Sequence, residues 1–260
     1  MNPALWVAKT GLDAQQKRLT TVSNNLANVG TNGFKRDRAV FEDLLYQNLR
    51  QPGSQTSQDT ILPSGLLIGT GVRTVATQKI HTQGAPVPTG NNLDMMIEGK
   101  GFFQVLMPSG DVGYSRDGAF QVNAQGQVVT SNGYLLQPAI TIPADAVSVD
   151  IGTDGTITST APGGAPTQLG IVQLADFVNP SGLQAVGQNL YLETVASGAP
   201  AQGNPGLQGL GQIQSGSLEG SNVNAVEELV NMIETQRAYE MNSKAISTAD
   251  QMLAYVSQNL

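Results

Sequence analysis

Residues 1–29 read MNPALWVAKTGLDAQQKRLTTVSNNLANV and place Leu5, Leu12, Leu19 and Leu26 seven residues apart. Ala8, Gln15, Val22 and Val29 make a second series at the same period. Two interleaved series of this kind line one side of a helix and suit it to pack against another helix. Gly11 is the only glycine here, so the helix should run unbroken to Asn28-Val-Gly-Thr-Asn-Gly33, residues that tolerate left-handed geometry. The far end repeats the pattern. From Asn224 to Leu260 there is neither Gly nor Pro, and Met232, Tyr239, Ile246, Leu253 and Leu260 recur every seven residues. Ala249 and Val256 widen that stripe, and Asn224 followed by Glu227 is a capping-box-like start. Residues 1–30 carry Lys9, Lys17 and Arg18 against Asp13. Residues 219–260 carry Glu219, Glu227, Glu228, Glu234, Glu240 and Asp250 against Arg237 and Lys244. Opposite charge on two heptad helices can set which helix pairs with which. The same stripes also suit a plain core face, but their placement at both ends favours a helical pair or an intermolecular bundle.

Between the ends, from about residue 70 to 218, short β-rich runs alternate with turn residues. Gly101–Leu106, Phe120–Val122, Gln127–Val129, Val147–Ile151 and Gly170–Leu174 are such runs. Pro108-Ser-Gly110, Ser131-Asn-Gly133 and Thr153-Asp-Gly155 are among the turns. This rhythm predicts an antiparallel sandwich or barrel-like domain. Residues 196–216, rich in Gly, Pro, Ser and Gln, read as a linker. In residues 34–63 the pattern is open: Val40, Phe41, Leu44, Leu45 and Leu49 fit one helix face or the strands of an extended hairpin. The fold class is therefore α+β: long N- and C-terminal helices in a coiled-coil-like domain, with an antiparallel β-rich domain inserted between them.

Composition excludes much chemistry. Of 260 residues only 13% are charged, the net charge is −7, and 24 Gln and 18 Asn fill the polar positions. An acidic chain lacks the basic footprint of a nucleic-acid binder. No apolar run approaches the ~18 residues of a membrane span. The absence of Cys removes disulfides and zinc–thiolate sites, and a single histidine, His81, removes most metal and Ser–His chemistry. Asp94, Glu98, Asp111 and Asp117 could supply a glycosidase carboxylate pair, but nothing in their spacing makes two of them face each other. Lys35-Arg36-Asp37-Arg38 reads as a solvated or subunit-facing basic patch, and Trp6, Phe102 and Phe103 as packing residues. No cofactor is implied. The start lacks a basic residue before its short apolar stretch Ala4–Ala8, so no cleaved secretory signal is expected.

The ends carry a resemblance. Residues 23–35, SNNLANVGTNGFK, resemble the N-terminal signature of the bacterial flagellar rod and hook family, through Asn24, Asn25, Leu26, Asn28, Gly33 and Phe34. Residues 223–246, VNAVEELVNMIETQRAYEMNSKAI, with Asn222 just before them, resemble its C-terminal signature through Glu227, Gln236, Arg237 and Tyr239. Residues 38–47, 62–65 and 69–73 are most similar to the distal rod members of that family, as is Glu98–Gln104, which close relatives share.

The resemblance implies a division of the chain. Residues 1–33 and 219–260 would form a helical inner layer around a channel. Residues 34–90 and 205–218 would connect it to a β-rich outer domain at 91–204. The interface stripes would be Leu5, Leu12, Leu19, Val22, Leu26, Met232, Tyr239, Ile246, Leu253 and Val256. Residues 46–63, with Tyr46, Gln51, Pro52, Gly53, Leu62 and Pro63, match an insertion that stiffens the straight rod. The function implied is structural: a helical homopolymer in the basal body, spanning the periplasm, that transmits torque and forms an export channel. Implied partners are copies of itself, proximal rod proteins, hook-side subunits, the P and L ring proteins and the flagellar type III export apparatus. A proximal rod or hook subunit is the nearest alternative. A secreted β-rich enzyme acting on cell-wall glycan and an adhesin-like module are alternatives of other classes.

Overall fold

The computed structural model describes residues 3–53, 55–57, 60–61 and 64–258. The chain divides into two compact units, one made of Met1–Ala27, Asp37–Gln78 and Asn224–Leu260, the other of Asn28–Arg36 and Lys79–Val223.

The first unit holds two long helices, α1 at Pro3–Ala27 and α2 at Ala225–Gln258. At 1.5 Å per residue they reach about 38 and about 51 Å. Asn224 caps α2, its side-chain oxygen accepting from the Val226 and Glu227 amides at 3.0 and 3.4 Å. The helices run antiparallel: Arg18 meets Glu234 while Gly11 faces Asn242. A Cβ at Gly11 would stand 3.1 Å from the Asn242 amide, so glycine here permits close approach. Leu5, Ala8, Leu12, Gln15, Leu19, Val22 and Leu26 lie on one half-buried to buried side of α1. The covered side of α2 is more polar, with buried Glu228 and Thr235 and half-buried Asn242 recurring at seven-residue spacing.

Residues 37–79 settle the open reading in favour of strands. Asp37–Asp43 pairs with Val72–Lys79, Gln47–Arg50 pairs antiparallel with Leu66–Ile68, and Gln55–Ser57 with Thr60–Ile61. The β-branched and polar mixture around a Pro52-Gly53 turn suits a ribbon, and Gly53 supplies the positive φ of 79°. Asn25, buried on α1, grips this ribbon's first residue twice: its Nδ2 donates to the Asp37 carbonyl and its Oδ1 accepts from the Asp37 amide, at 2.9 and 2.8 Å.

The second unit is antiparallel β. Its largest sheet follows the order Phe120–Val122, Val128–Thr130, Leu135–Gln137, Phe102–Leu106, Val112–Ser115, Leu190–Leu192 and Gln184–Gly187. Leu174–Asp176 also pairs with the Phe102 strand and with Ala201–Gly203. Strand alternation puts Phe103 and Val105 into a core with Met95, Phe120, Leu136, Ile157, Leu174 and Ile213. Phe102 points the other way, into a smaller core with Tyr114, Phe177, Leu183 and Tyr191. A separate antiparallel sheet, Ser148–Ile151, Thr156–Thr160 and Thr167–Ile171, covers the larger core through Ile151 and Ile157. Among the described residues no helix is long and apolar enough to cross a membrane.

One expectation is corrected. Residues 196–216 are not a linker. Ala201–Gly203 joins the main sheet, and Gln212–Ser215 pairs antiparallel with Met95–Glu98. The composition misleads because a strand pinned between turns needs few apolar residues: Leu210 and Ile213 alone reach the core. Replacing Ile213, 1% exposed, by alanine should therefore cost about 2–5 kcal/mol of stability. Urea unfolding of the purified chain would measure it, and a loss under about 0.5 kcal/mol, ordinary for a surface position, would contradict this packing.

Candidate functional site

Three passages of the chain through the second unit are fastened to one another: residues 33–36, 80–84 and 217–222. Ser217–Glu219 pairs antiparallel with Pro86–Pro88. At the centre Lys35 and Glu219, both fully buried, meet at 2.5 Å. Lys35 Nζ also donates to the Thr82 carbonyl at 2.8 Å, and the Gly84 amide donates to the same Glu219 oxygen at 2.9 Å. The other Glu219 oxygen receives Arg116 Nη1 at 3.3 Å, while Arg116 Nη2 donates to the Gly99 carbonyl at 2.7 Å. Burial pushes the Lys35 ammonium below the ordinary lysine pKa, and the Glu219 carboxylate opposes that shift. Burial acts on Arg116 in the same direction, again opposed by Glu219.

Around this ionic centre the backbone is pinned at short range. Asn222 Oδ1 accepts from the Arg36 amide at 2.7 Å, and its Nδ2 donates to the Ile80 and Thr82 carbonyls at 2.7 and 3.2 Å. The Gly33 amide donates to the Glu219 carbonyl at 2.7 Å. Gly33 has φ +68°, and a Cβ there would lie 2.6 Å from the Asp117 amide nitrogen. Only glycine serves at that point. Phe34 lies beneath Lys79 Nζ, 5.1 Å from its ring centre. The Asn28 side-chain oxygen accepts from the Thr31 hydroxyl at 3.1 Å, in the turn that ends α1.

The signature positions thus fall into two groups. Asn25, Asn28, Gly33, Phe34 and Asn222 hold backbone together, whereas Asn24, Glu227, Gln236 and Arg237 lie exposed on the helices. The stripes divide as well. Leu5, Leu12, Leu19, Val22 and Leu26 are at least half-buried, and so are Met232 and Ile246, but Tyr239 and Leu253 are exposed. Leu62 and Pro63 lie outside the described residues, as does the side chain of Val256. Tyr46, Gln51, Pro52 and Gly53 are all exposed on the ribbon.

A large apolar surface is left open. α2 presents Val226, Leu229, Val230, Ile233 and Met241 on the side away from α1, with Val226 70% exposed. Further along, Met252, Leu253 and Tyr255 are also open. The ribbon exposes Leu45 at 90%, with Tyr46, Leu49, Leu66 and Leu67 beside it. Large apolar side chains exposed in such groups mark places where another molecule packs.

Lys35 corrects the basic-patch expectation. It is buried and paired rather than solvated, because the turn ending at Gly33 directs it inward to Glu219. Glu219, counted above with the acidic helix, belongs to this centre instead. Neither Glu219 nor Arg116 was singled out, since a lone charge in a β-rich run looks like any surface charge. The carboxylates weighed as a glycosidase pair hold turns: Asp94 accepts from Asn91, Asp111 from Ser109, and Asp117 from the Ala119 amide and Asn189.

The fold and its surfaces define a structural protein that offers apolar faces for assembly. Three family descriptions match: flagella basal body rod protein over residues 5–35, flagellar hook protein FlgE/F/G D1 domain over 96–159, and flagellar basal body rod FlgEFG protein C-terminal over 214–259. The flagellar basal-body rod protein FlgG of Buchnera aphidicola subsp. Schizaphis graminum is 55% identical, over 99% of this chain and 100% of its own length. The FlgG proteins of Caulobacter vibrioides and Borreliella burgdorferi are 49% and 43% identical, covering 98% and 100% of this chain and 98% and 99% of their own lengths. The chain belongs to the flagellar basal-body rod protein family.

The ionic centre gives a direct test. Glu219→Ala would leave Lys35 and Arg116 buried without their carboxylate, which should cost about 3–5 kcal/mol. The unfolding midpoint in urea should drop accordingly. A loss below about 1 kcal/mol would mean that the pair is not what holds these passages together.

Proposed function

We propose that the chain, a structural subunit of the flagellar distal rod and not an enzyme, polymerises with copies of itself into a rigid hollow shaft. The shaft carries motor torque toward the hook, and its lumen passes export cargo. One observation carries this reading: α2 and the ribbon expose far more apolar surface than a chain working alone would keep in water.

In the assembled rod, the terminal segments 1–33 and 219–260 supply a coiled-coil-like inner layer through their helices α1 and α2. Residues 34–90 and 205–218 connect it to an outer β-rich domain at 91–204. Tyr239 and Leu253, exposed in the single chain, then become buried against neighbouring copies, and Gln236 and Arg237 supply polar contacts at the same seams. A contact that joins different faces of successive copies does not close on itself and grows a filament. The ribbon arm at 46–63 reaches a neighbour and stiffens the rod. The subunit is delivered by the flagellar type III export apparatus. Its neighbours are proximal rod proteins, hook-side subunits and the P and L rings, and its place is the periplasm-spanning part of the basal body.

Two measurements test this. Circular dichroism should show helix content per residue rising when dilute monomer is assembled, since apolar stripes complete their burial only against other copies. Equal helicity in both states would count against the stripes as assembly seams. Deleting residues 46–63 should leave export intact but yield bent or loosened rods in electron micrographs. Straight, stable rods from the deletion would remove the stiffening role.

A further inference from the structure

His81, the only histidine of the chain, stands two residues beyond the strand Val72–Lys79, in the middle passage of the fastened centre. Its neighbours on either side are held by backbone. The Ile80 amide donates to the Arg36 carbonyl at 2.9 Å, the Ile80 carbonyl accepts from Asn222, and the Thr82 carbonyl accepts from Lys35. The ring is a peg set between aromatic edges, 5.6 Å from Phe102 and 5.7 Å from Tyr191, with interplanar angles of 77° and 65°. Both ring nitrogens are shut off from solvent and have no hydrogen-bond partner among the described residues. The approach of the Pro180 backbone favours the charged ring but does not reach hydrogen-bond geometry.

The charges around the peg come from every passage. Lys35 faces it from the first, Lys79 from its own strand and Arg116 from the turn after Val112–Ser115. Glu219, the carboxylate of the centre, is already committed to Lys35 and Arg116, and Asp176 acts on Arg116. The Phe102 side is apolar, and the Tyr191 side offers an aromatic edge and a neutral phenol. A proton added to the ring would therefore find three cations and, among the described residues, no carboxylate acting on it.

We propose that His81 makes the second unit acid-labile: on gaining one proton the ring is repelled by Lys35, Lys79 and Arg116 and levers residues 80–84 away from the two passages that hold them. Burial first, then these cations, hold the His81 pKa down to about 4 against an ordinary value of 6.5. The sign follows from linkage. The unfolded chain takes up the proton below pH 6.5 while the folded unit refuses it down to about 4, so stability is full above 6.5 and lost as pH falls through that window. The inference concerns the internal centre of one chain and does not depend on the assembly reading.

Because there is one histidine, untagged full-length protein labelled at histidine with 15N reports this ring alone. Its titration midpoint in the folded protein should lie near pH 4; a midpoint near 6.5 would overturn the proposal. His81→Phe keeps an aromatic peg that cannot be protonated. Between pH 7.5 and 5.5 the unfolding equilibrium constant of the wild type should rise about tenfold more than that of His81→Phe. Parallel pH dependence of the two proteins would equally overturn it, and if His81→Phe does not fold, the wild-type titration decides alone.

Discussion

Lys35 and Glu219 lie 184 residues apart in sequence and meet in the interior, both side chains closed off from the surface. Such a pair gives little net stability compared with an apolar substitute, but breaking it is costly. That asymmetry suits a fastening. A substitute of leucine and methionine could slide by an ångström, whereas Lys35 must satisfy Glu219 and Thr82 together, and Glu219 must satisfy Lys35, Arg116 and the Gly84 amide. The strands, turns and glycines around them are positioned to meet those demands. Gly33 takes a backbone conformation closed to other residues so that its amide can reach the Glu219 carbonyl. The chain enters and leaves the second unit at 27/28, 36/37, 78/79 and 223/224, the last three within a few residues of this centre in sequence. The place where long helices and a long ribbon depart is thus also the most tightly specified part of the unit.

The helices were readable because their information is local and repeated. Seven-residue spacing from Leu5 to Leu26 and the glycine-free run after Asn224 both describe elements present in the structure. The antiparallel character of the middle was readable from its turns. What escaped was long-range pairing. Nothing near Lys35 in sequence announces Glu219, and nothing near Gln212 announces that it lies beside Glu98. The polar seam of α2 escaped for another reason. Met232 and Ile246 stand out as apolar repeats and are half-buried, but Glu228, Thr235 and Asn242, at the same period, are covered with them, whereas Tyr239 and Leu253 of the apolar repeat are exposed. Periodicity located the helix but did not say which of two overlapping stripes the chain keeps for itself.

Family membership and chemistry agree on what kind of work is done here. A subunit that bears load has no need for a pocket with a tuned acid and base. It needs broad faces and a frame that does not yield. The low charge content leaves outer surfaces rich in amide and hydroxyl groups, which form few persistent ion pairs with whatever moves past them.

The polar seam between α1 and α2 has one more consequence. A helix pair glued along a leucine stripe would resist separation, because each buried leucine contributes roughly 1.5–3 kcal/mol. Here the side of α2 that is covered within its own chain mixes Glu228, Thr235 and Asn242 with half-buried Met232 and Ile246, while Val226, Leu229, Val230 and Ile233 are turned outward. The pair therefore joins an apolar side of α1 to a mixed side of α2, in which Met232 and Ile246 alternate with polar residues. Such a helix has two faces in use at once: a mixed one satisfied within the chain, and an apolar one left for another surface.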